Sequence, residues 1–107
     1  MYNWQKLSLE EKELSLNPKK AVTNHSDLQN NATFSAKKFR NNHADKFIDV
    51  PYGNRKKQKL DIFLPKNIDN NPVQLYFHGG YWIARDKFDH SHLAEPAVIN
   101  NIIHVSV

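Results

Sequence analysis

The stretch QLYFHGGYWIARDK, residues 74–87, decides the fold. An apolar run from Val73 to Phe77 stops at His78, two adjacent glycines and two aromatics, and a helix-like segment follows. Nearly continuous apolar runs of this length are strands buried on both faces of an α/β sheet, and VQLYF is expected to be one. Its carboxyl end, at His78, is where open α/β sheets place their ligands. Gly79 and Gly80 lack Cβ and can take positive φ, which turns successive backbone N–H groups the same way. Two such donors held near a helix N-terminus stabilise a developing negative charge. Gly-Gly alone would equally suit a plain strand-to-helix turn; the full string HGGYW, residues 78–82, is far more specific.

The flanking segments extend the reading. DKFDHSHLAEPAVINN, residues 86–101, has helical character, with Phe88, Leu93, Ala97 and Val98 inward and Pro96 weakening the interior. IIHVSV, residues 102–107, is one more apolar strand, so a right-handed parallel crossover is expected after Val73. Upstream, KFIDVPY (46–52) and QKLDIFLP (58–65) alternate apolar and polar residues and read as an antiparallel hairpin. KNIDNNP, residues 66–72, is a loop. Before them, Ser8 and Glu11 have capping-box spacing, and Asn17-Pro18 ends the helix they open. A second helix is expected from about Ser26 to Asn41, with Leu28, Ala32, Ser35 and Phe39 on one face. The fold class is therefore α/β: leading helices over residues 1–44, then first strands, glycine loop and first sheet helix over residues 45–107. A chain that stops inside an apolar strand, at Val107, reads as the N-terminal part of a larger domain with an incomplete sheet.

Bulk properties exclude several classes. The chain has 107 residues, 39% hydrophobic and 24% charged, with no Cys for disulfides or thiolate chemistry. The N-terminus lacks the apolar core of a signal peptide and no window has the length of a membrane span, so a cytoplasmic protein without membrane partners is expected. Net charge is +4, concentrated at Arg55, Lys56, Lys57 and Lys59. Gly53-Asn54 just before them is turn chemistry and no aromatics interleave, so the cluster reads as a solvated turn rather than a nucleic-acid patch. His90 and His92, near Asp86 and Asp89, would project about 200° apart on a helix and cannot share one ion. They read as surface histidines at a helix start; no metal or cofactor is expected.

His78-Gly79-Gly80-Tyr81-Trp82 resembles the HGGxW oxyanion motif of the arylformamidase (kynurenine formamidase) branch of the α/β-hydrolase fold, a relative of the HGGG motif of lipases. The resemblance spreads outward. DVPYG (49–53) with LDIFLP (60–65) is similar to the opening strands of those enzymes, and Trp4 to Pro18 to their N-terminal helix, with Leu16 where a Tyr is usual. The resemblance implies a cofactor-free serine hydrolase acting on an aryl formamide, N-formylkynurenine being the family substrate, and a sheet order of 1-2-4-3. Gly79, Gly80 and Tyr81 would form the oxyanion hole, while His78 and Trp82 would shape the loop. None of the catalytic triad is present: no Ser is framed by glycines, and the order Ser, Asp or Glu, His would lie beyond Val107. Ser91, in a helix, and Ser106, inside a strand, are poor substitutes.

Three alternatives stand beside this reading. A carboxylesterase of the same fold would carry the same loop. A non-catalytic protein could use the turn to bind an anion, although neither G-x-G-x-x-G nor G-x-x-x-x-G-K occurs. A truncated or decayed product would expose VQLYF as an apolar edge and be poorly soluble or partly molten.

Overall fold

Ser8 opens the first helix as its spacing predicts. In the computed structural model, which describes residues 3–81 and 83–107, the Ser8 side chain accepts from the Glu11 N–H at 3.1 Å and Glu11 returns the bond to the Ser8 N–H at 2.7 Å. The same bond holds the Glu11 carboxyl below its usual range. Helix α1 spans Leu9–Leu16, and Asn17 then caps a single turn, α2 (Pro18–Ala21), with Pro18 at the first helical position where its missing N–H is harmless. Lys20 reaches back to Glu13. A compact unit ends at Asn30, and none of its described residues is buried.

The second unit runs from Asn31 to Val107. It begins inside α3 (His25–Asn42), which matches the expected helix to within a residue at each end. Its buried face differs from the expected stripe. Leu28 and Ser35 are exposed, and the only fully buried described residue of the helix is Ala36, flanked by half-buried Ala32, Phe39, Arg40 and His43. Alanine at the closest approach lets the helix backbone sit near the sheet, while Phe39 stacks on His43 at 5.0 Å and packs on Phe63 at 5.3 Å. Fully burying a ring such as Phe63 contributes roughly 1.5–3 kcal/mol.

Strands β1 (Lys46–Pro51) and β2 (Lys59–Phe63) form the expected antiparallel hairpin, with a register shift between Phe47 and Val50 where Asp49 takes φ 58°. β3 is Val73–Tyr76 and β4 is Ile103–Ser106. The sheet order is β1-β2-β4-β3, with β4 antiparallel to β2 and parallel to β3. This is the order that the resemblance implies. Burial of β3 on both faces is not found: Val73 is 57% and Leu75 60% exposed, because β3 is the edge strand with β4 as its one ladder neighbour.

Between β3 and β4 the expected helix is divided. Residues Lys87–Leu93 form a 3-10 segment, capped by Asp86, and α4 is only Ala94–Ile99. Pro96 sits in the first turn of α4, where no intrahelical N–H is needed. Ala94 and Ala97 are buried, whereas Leu93 turns outward because the tighter 3-10 spiral rotates it away from the sheet.

The elements of this unit meet on Asp61, whose side chain is fully buried. One carboxylate oxygen accepts from the Asp49 N–H at 2.9 Å and from Lys87 Nζ at 2.8 Å; the other is bound by the Arg40 guanidinium. Arg40 also donates to Ser91 Oγ at 3.0 Å and lies 4.8 Å over the Phe88 ring. One carboxylate thus joins α3, both hairpin strands and the 3-10 segment. Removing one partner from a buried ion pair leaves the others uncompensated, so Asp61→Ala is expected to cost about 3–5 kcal/mol. Asp49→Asn, which tolerates the same positive φ, removes only the charge of a half-exposed partner of Lys87 and should cost under about 1 kcal/mol. Urea unfolding of the two variants checks this; equal losses would deny Asp61 its central place.

Candidate active-site groove

Strand β3 delivers His78 and the glycines to the carboxyl edge of the sheet, as expected. The His78 ring is half-buried, and its Nδ1–H donates to the Gly79 carbonyl at 2.8 Å. Positive φ does not fall on both glycines. It falls on Gly80, at 145°, and on Tyr81, at 55°. The Gly80 carbonyl accepts from Ala84 N–H at 3.0 Å and from Ile83 N–H at 3.2 Å, which closes a tight turn over residues 80–84. A Cβ on Gly80 would lie 1.9 Å from the Ala84 oxygen, so only glycine fits there. A Cβ on Gly79 would meet nothing within 4 Å, because that position opens into the groove. Among the described residues the Gly79 and Gly80 N–H groups have no hydrogen-bond partner. Trp82 lies outside the described residues.

These residues border an open groove of about 1070 Å³. Its hairpin wall was not anticipated. Lys56, Lys57 and Lys59, read from sequence as a solvated turn, line the groove, and Arg85 and Lys87 line it from the segment that follows the glycine turn. The hairpin loop is shaped by Gln58, whose carbonyl accepts from the Tyr52 N–H at 3.0 Å while its side chain accepts from the Arg55 N–H at 2.9 Å. Lys57 then reaches across to Asp86 at 2.7 Å. Lys87 donates to Asp49 at 2.7 Å. Burial alone would lower the Lys87 pKa, but the hydrogen bonds and charges of Asp49 and Asp61 outweigh it and hold it above the ordinary lysine value. The same bond and charge from Lys87 keep the Asp49 carboxyl below its own.

His90 is not the free surface residue expected from sequence. It is half-buried, stacks on His78 at 5.8 Å and packs against Tyr76 at 5.6 Å. Burial, followed by the charges of His78 and Arg85, lowers its pKa. His90 and His92 fall on one 3-10 segment at a spacing that sends them to different sides, and no group of three or more ligands for a metal occurs among the described residues.

Ser91 and Ser106, the two serines weighed as substitute nucleophiles, are committed elsewhere. Ser91 is fully buried, donating to the Phe88 carbonyl at 3.1 Å and accepting from Arg40. Ser106 pairs with His104 Nε2 at 3.0 Å, which superficially resembles a nucleophile and its base. Both residues are buried, neither borders the groove, and His104 Nδ1 is bound to the Gln74 amide oxygen at 2.8 Å. Burial lowers the His104 pKa, in keeping with a neutral ring locked in the sheet. Neither serine meets the groove.

No family model matches the chain. Against known proteins, it is 34% identical to the kynurenine formamidase of Danio rerio over 117 aligned residues, which takes in 100% of this chain and 39% of the relative. The chain is homologous to kynurenine formamidases. A second relative, the kynurenine formamidase of Salmo salar, is 34% identical over 65 residues, 60% of this chain and 22% of its own length. A crystal structure from Silicibacter sp. TM1040, of a protein provisionally named a thioesterase, matches 76% of this chain and 31% of its own with a TM-score of 0.69 at 33% identity. The four-stranded sheet and its helices are thus the α/β arrangement of a hydrolase-type fold. The chain spans well under half the length of each of these relatives. No helix among the described residues is long and apolar enough to cross a membrane.

The turn yields a direct contrast between its glycines. Gly80→Ala must displace the Ala84 carbonyl and adopt a φ that L residues avoid, so a loss of several degrees in Tm is expected. Gly79→Ala adds a methyl to open space and should leave Tm nearly unchanged. Thermal melts of both variants decide; an undisturbed Gly80→Ala would mean that the turn is not built as described.

Proposed function

We propose that this chain supplies the oxyanion-binding part of a serine hydrolase of the arylformamidase kind. The supporting observation is the Gly79-Gly80 turn, whose two backbone N–H groups are unpartnered among the described residues and border the groove. Attack of a seryl oxygen on a formyl carbonyl moves a full negative charge onto the carbonyl oxygen. Donors already fixed at that point need no reorganisation during the reaction. Each such donor is worth roughly 10²–10³ in kcat. The N–H groups of Gly79 and Gly80, with that of Tyr81, would receive the oxygen, and a further donor would come from the residue after the nucleophile.

His78, through its bond to the Gly79 carbonyl, would fix the peptide planes of the turn rather than act as the base. That bond fits a positioning role because it uses one ring nitrogen on the backbone and stacks the ring on His90. Trp82 would complete the loop. Homology to kynurenine formamidases favours N-formylkynurenine or a related aryl formamide as the substrate, with the ester chemistry of a carboxylesterase as the second reading. No seryl nucleophile flanked by glycines occurs in these 107 residues, so this chain by itself should turn over neither substrate.

A chimera tests the reading. In it, this chain replaces the matching segment of the Danio rerio kynurenine formamidase. Hydrolysis of N-formylkynurenine is expected, and substituting the Gly79-Gly80 turn by Ala-Ala should lower kcat by about 10²-fold or more. A folded chimera that is inactive, or one indifferent to the turn, would overturn the proposal.

A further inference from the structure

Behind the glycine turn lies a column of rings that the proposed chemistry does not use. The His78 ring, which holds the Gly79 carbonyl, lies face to face with the His90 ring at 5.8 Å, with 11° between their planes. His90 packs in turn on Tyr76 at 5.6 Å, and Tyr76 on His104 at 6.0 Å. His78 borders the groove and His90 does not, so His90 reaches the turn through the His78 ring. Stacked flat rings restrict each other's tilt, and the tilt of His78 sets the direction of its bond to the Gly79 carbonyl.

The slot of His90 suits a neutral ring. Its Nδ1 lies 3.4 Å from the Tyr76 hydroxyl, and its Nε2 is buried with no hydrogen-bond partner among the described residues. A protonated imidazole carries an N–H on both nitrogens, so a charge here would leave one donor buried and unpaired. The surrounding groups give no relief. His78 and Tyr76 face the ring from β3 and the start of the turn, Arg85 from the segment after the turn, and Asp89 and His92 from its own 3-10 segment. Among these Asp89 favours a charge on His90, but both its oxygens are engaged, by the Thr33 hydroxyl at 3.4 Å and the Asp86 N–H at 3.2 Å. From α3, Arg40 is taken by Asp61 and Ser91, and β4 contributes His104, one ring further on behind Tyr76.

We propose that His90 is a positioning residue for the glycine turn and makes the turn proton-sensitive. The neutral ring backs His78 and fixes the Gly79 and Gly80 peptides; the protonated ring leaves its slot and frees them. Because the fold disfavours the charged ring, the stacked turn is fully held above the ordinary histidine value of 6.5 and is lost as pH falls through the lower value that His90 has here. This deepens the hydrolase reading, on whose glycine turn it rests, by naming what regulates that turn. It is read from backbone signals rather than turnover, so its failure is distinct from a failure of catalysis.

The experiment follows the histidine ring and backbone amide signals of the 107-residue chain by NMR from about pH 8 to about pH 5. The His90 ring is expected to titrate with a midpoint below 6.5, and the Gly79, Gly80 and Tyr81 amide signals to move with that same midpoint. The Asp49 amide, held on Asp61, should stay in place and report an intact fold. His90→Phe keeps a flat ring that cannot titrate, so the glycine signals of neutral pH should persist and their step at that midpoint should vanish. His90→Ala removes the ring, so at neutral pH the glycine signals should already lie where the parent chain brings them only in acid. A His90 midpoint at or above 6.5, glycine signals that keep the step in His90→Phe, or glycine signals indifferent to His90→Ala would overturn the proposal. So would an Asp49 amide that moves in the same step, the signature of general loosening by acid. A proton-sensitive turn beside an inactive chimera would retain the role of His90 and reject only the hydrolase.

Discussion

A single buried carboxylate organises the second unit of this protein. Asp61 projects from the strand face that also carries fully buried Phe63, and an unpaired charge there would cost several kcal/mol. It is tolerated because its partners arrive from three directions: Arg40 from α3, Lys87 from the 3-10 segment and the Asp49 N–H from β1. The need to satisfy that charge accounts for irregularities elsewhere. Asp49 adopts positive φ at the strand bulge, the position from which its N–H reaches Asp61. Asp and Asn tolerate that region better than other non-glycine residues. Lys87 is drawn inward although burial disfavours its charge, and it opens the 3-10 segment that fixes where the glycine turn ends.

The groove inherits its form from this arrangement. One wall is the turn at Gly79-Gly80, which leaves β3 and is closed by Gly80 onto Ala84. The other is the hairpin loop, positioned by β1 and β2 and clasped to Asp86 at the start of the 3-10 segment. Asp61 ties the hairpin wall to the 3-10 segment that follows the glycine turn, so a residue outside the groove helps to set the spacing between glycine donors and basic side chains. Backbone donors suit a developing charge because their direction is fixed by the fold, whereas lysine side chains must be ordered at an entropic cost.

Much of this was legible in the sequence where the signals are local. Ser8 and Glu11 mark the first helix, the alternation around Asp49 and Asp61 gives the hairpin, and HGGYW locates the turn at the end of β3. What was not legible depends on distant partners. Asp61 in an alternating strand looks like a solvent-facing residue, and only Arg40, 21 positions away on the helix, makes its burial affordable. Its sharing a face with Phe63 was the one available hint. The expected stripe on α3 rested on large apolar residues, but the helix docks through Ala36, because a small side chain permits close approach to the sheet. The VQLYF run has the composition of a central strand, yet it is the sheet edge here; composition reports what a strand can bury, not which neighbours it has. The basic cluster was correctly seen as a turn, and its facing the glycines is a tertiary fact that spacing along the chain does not encode.

The central claim is that the Gly79-Gly80 turn holds two backbone donors ready and unengaged. Amide hydrogen exchange of the chain, read residue by residue by NMR, tests it most directly. Gly79 and Gly80 N–H should exchange at close to the rate of an unprotected peptide, while the Asp49 N–H, held on buried Asp61, should be strongly protected. Slow exchange at both glycines would mean that their donors are already spent within the fold, and the turn would then not be an oxyanion site.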